Sequence, residues 1–156
     1  PHDPYFVPQQ YLDMYDINDI ELPDNFHDLL RDKPNLYRRT RDRFDQLTPE
    51  EHKTAILHYL AFCTYEDALF GEVLQALKET GEYDNTLVVY TSDHGDYMGE
   101  HGLWTKGLPC FKPAYHIPAV IKGTGASTAA AGALVDAFVS IADYGPTFLE
   151  AAGINT

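Results

Sequence analysis

Thr86-Leu87-Val88-Val89-Tyr90-Thr91-Ser92 runs straight into Asp93-His94-Gly95-Asp96-Tyr97-Met98-Gly99-Glu100-His101-Gly102-Leu103-Trp104-Thr105-Lys106. The first seven residues are a nearly continuous β-prone run. Such a run marks a strand buried on both faces, as in a parallel sheet. The residues after it carry carboxylates, imidazoles, three glycines and a lysine. In α/β sheets ligands bind beyond the carboxyl ends of strands, so Asp93 and His94 emerge where a site belongs.

Working upstream, residues 48–80 predict a long helix. Thr48 suits the N-cap, Pro49 the first helical position, and Glu51 completes a Thr-x-x-Glu capping box. Ile56, Tyr59, Leu60, Cys63, Phe70, Val73, Leu74 and Leu77 follow helical spacing and predict one apolar face. Gly81 suits a left-handed cap after the last turn. A long helix, a short turn and a buried strand together read as one arm of a βαβ unit. Residues 1–25 are punctuated by Pro1, Pro4, Pro8 and Pro23 and read as a long loop packed on a body. Residues 26–46 alternate acids and bases. Arg38, Arg39, Arg41 and Arg43 read there as the solvated face of a short helix.

Downstream, residues 117–121 are a second strand, with Pro118 confining it to an edge or an entry position. Residues 124–133 are small and read as a surface loop, and residues 135–139 as a third strand. Ser140-x-x-Asp143 is a capping box for a last helix, closed by Gly153.

The chemistry gathers after the first strand. A carboxylate at a buried strand end is costly unless it is paired or coordinated, and a divalent cation solves that for Asp93. The commoner role of such a carboxylate is to cap the next helix. His94 can supply an imidazole nitrogen, a poorer partner for calcium than for manganese or zinc. A lone histidine is more often a structural hydrogen-bonder. Lys106 can set a cation on an anionic oxygen, although most lysines are simply solvated. Gly95, Gly99 and Gly102 indicate a loop that turns tightly or approaches a ligand closely.

Composition narrows the partners. The 156 residues are 44% hydrophobic and 13% aromatic, enough for a packed core. Lys+Arg is 11 against Asp+Glu 24, a formal net charge of −13. That balance disfavours nucleic acid and an anionic membrane surface, which need basic residues. Cys63 and Cys110 allow one disulfide but nothing requires it, so the compartment stays open. No apolar run reaches transmembrane length, and no signal peptide is visible. The chain opens with Pro-His-Asp-Pro rather than Met, and the expectation is a piece of something longer.

Asn85 to Gly95, followed by Gly99-Glu-His-Gly102 and Lys106, resembles a signature region of the sulfatase family, in the alkaline-phosphatase-like superfamily. The resemblance continues in order along the chain. His2-Asp-Pro-Tyr-Phe resembles the family's His-x-Pro-aromatic segment, and Tyr15-Asp16 to Leu22-Pro23 its next conserved stretch. Asp67 to Gly71, Leu77 to Gly81, Ile117-Pro118 and Asp143-Tyr-Gly-Pro146-Thr147 to Ala152-Gly153 continue the series. One motif alone would be weak, whereas the ordered series is specific.

The resemblance implies a partial three-layer αβα sandwich with a largely parallel sheet, formed by residues 1–156 as a single partial catalytic domain. It implies Asp93 and His94 as metal ligands, with Lys106 and His2 on the sulfate group and in catalysis. The cofactor would be one divalent cation, calcium first and magnesium or manganese as alternatives. The family nucleophile, a formylglycine made from Cys or Ser in a Cys/Ser-x-Pro-x-Arg motif, has no counterpart here. Leu108-Pro-Cys110-Phe-Lys-Pro113 has the wrong spacing and lacks the Arg. The nucleophile is therefore expected in a missing N-terminal part, and this chain alone is expected to be inactive.

The partner would be a sulfate ester. The resemblance leans towards a periplasmic or secreted compartment. A phosphate or phosphonate ester hydrolase of the same superfamily, and a non-catalytic domain, are the competing readings. A sheet that lacks its first strands exposes apolar surface, so the isolated chain is expected to self-associate.

Overall fold

The capping box at Thr48 opens the longest element. The Thr48 N–H donates to Glu51 Oε2 at 2.7 Å, and the Glu51 N–H donates back to Thr48 Oγ1 at 3.2 Å. Helix α3 then runs from Pro49 to Glu79, in the computed structural model that describes residues 1–123 and 131–154. It stops in a Schellman-type turn. Gly81, at φ 76°, donates to the Lys78 carbonyl, and the Glu82 N–H donates to that of Leu77. Removing the cap tests its weight. Thr48→Ala is expected to cost about 1 kcal/mol, read as roughly fivefold faster amide exchange in the first turn of α3.

The chain divides into two compact units, Pro1–Ala76 with His94–Ile117, and Leu77–Asp93 with Pro118–Thr156. The first holds the better core. Two short helices precede α3, α1 at Gln9–Leu12 and α2 at Asn35–Arg41, and α4 at Lys112–Tyr115 follows it. Leu30, Tyr97, Leu103 and Ala114 form a buried cluster, with Tyr37 and Phe111 packed against it. That core comes from loop residues and from Ala114 of α4 rather than from the apolar stripe of α3. The stripe is only half-buried along much of its length, and Val73 is 56% exposed. Helical spacing shows which positions share a face, but only packing partners bury that face. Arg41 corrects another expectation. It is buried rather than solvated, and its Nη1 pairs with Asp45 Oδ1 at 2.5 Å.

His52, on the first turn of α3, is buried too. It accepts a hydrogen bond at Nδ1 from Trp104 Nε1 (2.9 Å), and the Phe26 ring meets it edge-on. Accepting at Nδ1 puts its proton on Nε2 and leaves the ring neutral. Burial lowers its pKa below 6.5. The unfolded chain therefore takes up a proton near pH 6.5 that the fold resists. This contribution to stability is complete above the unfolded pKa and is lost as pH falls below it towards the lower folded value. Melting temperature is expected to fall between about pH 7 and 5, and His52→Gln to flatten that slope.

The second unit carries the strands. β1 spans Val88–Thr91 and β2 spans Ala119–Lys122. They pair antiparallel, with Val88 opposite Lys122 and Thr91 opposite Ala119. The expected parallel sheet is thus not what these two strands form. Nor is β1 buried on both faces, since Tyr90 and Thr91 are exposed. Apolar composition marks the strand but carries no information on the direction of its neighbour. Pro118 does precede β2, and its carbonyl accepts from Thr91 Oγ1 at 2.8 Å. No strand forms over residues 135–139. Val135, Phe138 and Val139 are exposed, and the ladder among the described residues pairs β1 with β2. Most of the expected loop at 124–133 lies outside the described residues. The last capping box closes as read, with Ser140 and Asp143 each accepting from the other end, and leads into α5, Tyr144–Ala151. Both cysteines are free thiols.

Candidate active site

The loop after His94 is laced by its own backbone. The Gly95 N–H donates to the Ala114 carbonyl (2.9 Å), that of Tyr97 to Thr105, and that of Gly99 to Leu103. The chain can fold so tightly because Met98, Gly99, His101, Gly102, Thr105 and Gly107 all take positive φ. Thr105 and Gly107 flank Lys106, so the backbone turns sharply on either side of it. The buried Tyr97 secures the far limb. Its hydroxyl lies at hydrogen-bond distance from the carbonyls of Gly107 (2.5 Å) and Pro109, and its one proton serves either. Burial pushes the Tyr97 phenol pKa up, so it stays a donor.

Three of the four expected site residues meet in this unit. Lys106 Nζ contacts His2 Nε2 across 104 positions of sequence. The His2 and His94 rings meet edge-on with centroids 6.1 Å apart. Both imidazoles are oriented through Nδ1, which contacts the Asp3 carbonyl in His2 (2.6 Å) and the Gly95 carbonyl in His94 (2.8 Å). A carbonyl only accepts, so Nδ1 carries the hydrogen in each ring and, with the ring neutral, the lone pair sits on Nε2. His2 can therefore accept from the lysine ammonium, and His94 carries a nitrogen of the type that ligates metals. Asp93 precedes His94 by one peptide bond, belongs to the other unit and is exposed. Its position is not that of a carboxylate forced into a buried strand end.

Within its unit His94 offers one imidazole nitrogen, a donor type that suits a divalent transition metal but too few donors to hold one. Among the described residues no group of three His, Cys, Asp or Glu side chains could hold a metal. The fit is therefore partial, and further ligands would have to come from elsewhere.

Two supports were not visible in the sequence. Tyr5 donates its hydroxyl to Asp96 Oδ2 at 2.5 Å, tying the His2 segment to the loop that bears Lys106. Asp96 also accepts from the Met98 N–H (3.0 Å), so it is a fastening rather than a ligand. Burial, reinforced by Asp96, raises the Tyr5 phenol pKa and keeps the donor protonated. His101 pins the loop as well. Its Nδ1 meets Asp28 Oδ2 at 2.9 Å, its N–H donates to Asn25 Oδ1, and its ring packs on Phe111. The Leu30 N–H and then His101 hold the Asp28 carboxyl below its usual range. The one available signal was the Asp-x-x-Gly turn chemistry at residues 96–99.

Comparison with known proteins gives a consistent result. The profile of the Sulfatase family matches residues 1–154. The chain is 36% identical over 115 residues to Arylsulfatase K of Danio rerio, an alignment covering 74% of this chain and 21% of that protein. A Sulfatase of Formosa agariphila is 32% identical over 161 residues, covering 99% of this chain and 31% of its own. The solved phosphonate monoester hydrolase SpPMH from Silicibacter pomeroyi superposes with a TM-score of 0.85 at 32% identity. That match covers 99% of this chain and 32% of the hydrolase. The chain thus spans about a fifth to a third of the length of these relatives. Over its residues it has the mixed helix and strand fold of alkaline-phosphatase-like hydrolases.

Proposed function

The chain belongs to the sulfatase family, and from that premise we propose that its full-length protein is a metal-dependent sulfuric ester hydrolase to which these residues contribute one side of the active site. The contact of Lys106 with His2, beside His94, is the observation that carries this reading. A sulfate ester is a tetrahedral anion whose leaving oxygen gains charge in the transition state. Lys106 supplies a positive donor to that oxygen or to the sulfate group. His2, held by the Asp3 carbonyl, orients the ammonium and passes or receives its proton. Asp93 and His94 would hold the cation, with calcium the first choice and magnesium or manganese the alternatives. Such a cation, when bound, acts as a Lewis acid on sulfate oxygens.

The nucleophile, a formylglycine in this family, and further metal ligands would come from residues outside this sequence. Residues 1–156 would then be part of a single catalytic domain, and β1 would sit in a larger, largely parallel sheet within a three-layer αβα sandwich. An antiparallel edge neighbour such as β2 is compatible with that sheet. The exposed Leu134, Val135, Phe138 and Val139 support self-association of the 156 residues alone.

The same superfamily chemistry acts on phosphonate esters, and the likeness to the Silicibacter hydrolase supports that as the second reading. Assaying the full-length protein on an aryl sulfate and on an aryl phosphonate monoester separates the two. A higher kcat/KM for the sulfate is expected. A preference for the phosphonate would replace the sulfatase reading, and activity on neither would remove both.

A further inference from the structure

The contact between His2 and Lys106 joins two segments that regular structure does not hold. Residues 1–8 form neither helix nor strand, and His2 is exposed. Lys106 reaches it on a flexible four-carbon stem from a loop 104 positions away. Ordering such a segment costs more conformational entropy than one contact at an exposed position returns. The register of the two groups therefore has to be set by something else.

Tyr5 and Asp96 stand where that setting is made. Tyr5 lies three residues from His2, and its partly buried hydroxyl donates to Asp96 Oδ2 at 2.5 Å. The Tyr97 N–H, next to Asp96, donates to the carbonyl of Thr105, next to Lys106. The bond from Tyr5 thus reaches the loop beside the residues that carry the lysine. Each partner is itself fixed. The Tyr59 ring on α3 meets the Tyr5 ring edge-on, with centroids 5.5 Å apart, and His58 Nδ1 lies 3.3 Å from the Tyr5 carbonyl. The second oxygen of Asp96 accepts from the Met98 N–H. A hydrogen bond to a carboxylate is among the stronger ones, and partial burial shields it from water. Tyr15, further along the same segment, makes a similar bond at 2.6 Å, but to Thr64 on α3 rather than to the loop. We propose that Tyr5 and Asp96 are a positioning pair for turnover, acting through His2 and Lys106 rather than on the substrate. The kinetic consequence rests on the ester-hydrolase reading, whereas the placement of His2 does not.

Two measurements on the full-length protein test this. The first needs no turnover. NMR signals of the isotope-labelled His2 imidazole are recorded at one pH with and without Lys106→Ala. They are expected to move on that substitution in the wild-type background. In Tyr5→Phe, which keeps the ring and removes the hydroxyl, they should move at most about half as far, because the contact is no longer held. An equal shift in both backgrounds overturns the proposal, whatever the protein hydrolyses. The second measurement follows turnover of whichever ester the protein accepts, aryl sulfate or aryl phosphonate. Tyr5→Phe is expected to lower kcat about tenfold or more and to leave KM within about twofold, since a small misplacement of a catalytic group is costly. Asp96→Ala breaks the same bond from the other side and repeats both readouts if Tyr5→Phe is unstable. Asp96→Asn is expected to keep kcat within about threefold, because its amide can still bridge the Tyr5 oxygen and the Met98 N–H. Tyr15→Phe is expected to leave kcat unchanged. An equal loss in Tyr15→Phe would mean general loosening of the segment. A loss confined to KM would mean substrate contact, and Asp96→Asn as slow as Asp96→Ala would mean that the charge matters and not the bond. Each of these overturns the pair. A protein that hydrolyses neither ester removes the reading beneath it, and the His2 signals then decide the placement alone.

Discussion

Lys106→Ala is expected to lower the kcat of the full-length enzyme about a hundred- to a thousandfold while the protein keeps its melting temperature. The magnitude is that of deleting one preorganised donor aimed at developing negative charge. Stability should hold because the ammonium end contacts His2, which is exposed. The loop's shape depends on its backbone bonds and on Tyr97, not on this side chain. His2→Gln is expected to cost a similar factor. Glutamine can still accept from the lysine through its carbonyl oxygen, but it cannot carry a proton between partners. Because the two nitrogens share one contact, the double variant should lose little more than the worse single one. Losses that multiply would mean the two residues act separately and would sink the proton-sharing pair.

The second large effect is expected at Gly95. A Cβ built there would lie 1.9 Å from the Pro113 carbonyl oxygen and 3.1 Å from its carbon. Both are backbone atoms, and neither can swing aside as a side chain would. Nor can Gly95 retreat, because its N–H is bonded to the Ala114 carbonyl at 2.9 Å. Gly95→Ala is therefore expected to cost about 3 kcal/mol or more. It should also misorient His94, whose Nδ1 hydrogen rests on the Gly95 carbonyl. Gly81→Ala is the control. It has a left-handed φ of 76° but open space around it, so about 1 kcal/mol is expected there. Chemical unfolding of both variants checks the contrast, and equal losses would show that crowding at Gly95 is not the cause.

The parts of the fold that could be read in advance are those written locally. The Thr48 and Ser140 boxes, the 31-residue helix and its Gly81 cap depend on residues within four positions of one another. Strand direction depends on a partner, so a β-prone run at 86–92 could suggest a strand but not that its neighbour would run antiparallel. The same limit applies to Arg41, whose burial follows from Asp45 and from Gly102, whose Cα it covers. For the site, the family resemblance named His2, His94 and Lys106, and His2 does lie beside the other two. The fastenings at Tyr5, Asp96, Tyr97 and His101 lack any spacing rule. They join segments far apart in sequence through single hydrogen bonds, and many residue types could serve in their place.

The left-handed residues of the Lys106 loop have a consequence for anyone redesigning it. Met98, His101 and Thr105 hold backbone angles that glycine adopts without strain, and each stores about 1 kcal/mol or more in doing so. Gly99, Gly102 and Gly107 already fill their positions at no such cost. A redesign should therefore allow glycine or asparagine at Met98 and Thr105 while keeping the three glycines, the fastening side chains of Asp96, Tyr97 and His101, and Lys106 itself. Variation confined in this way would sample new surfaces around the lysine while leaving intact the curve that presents it.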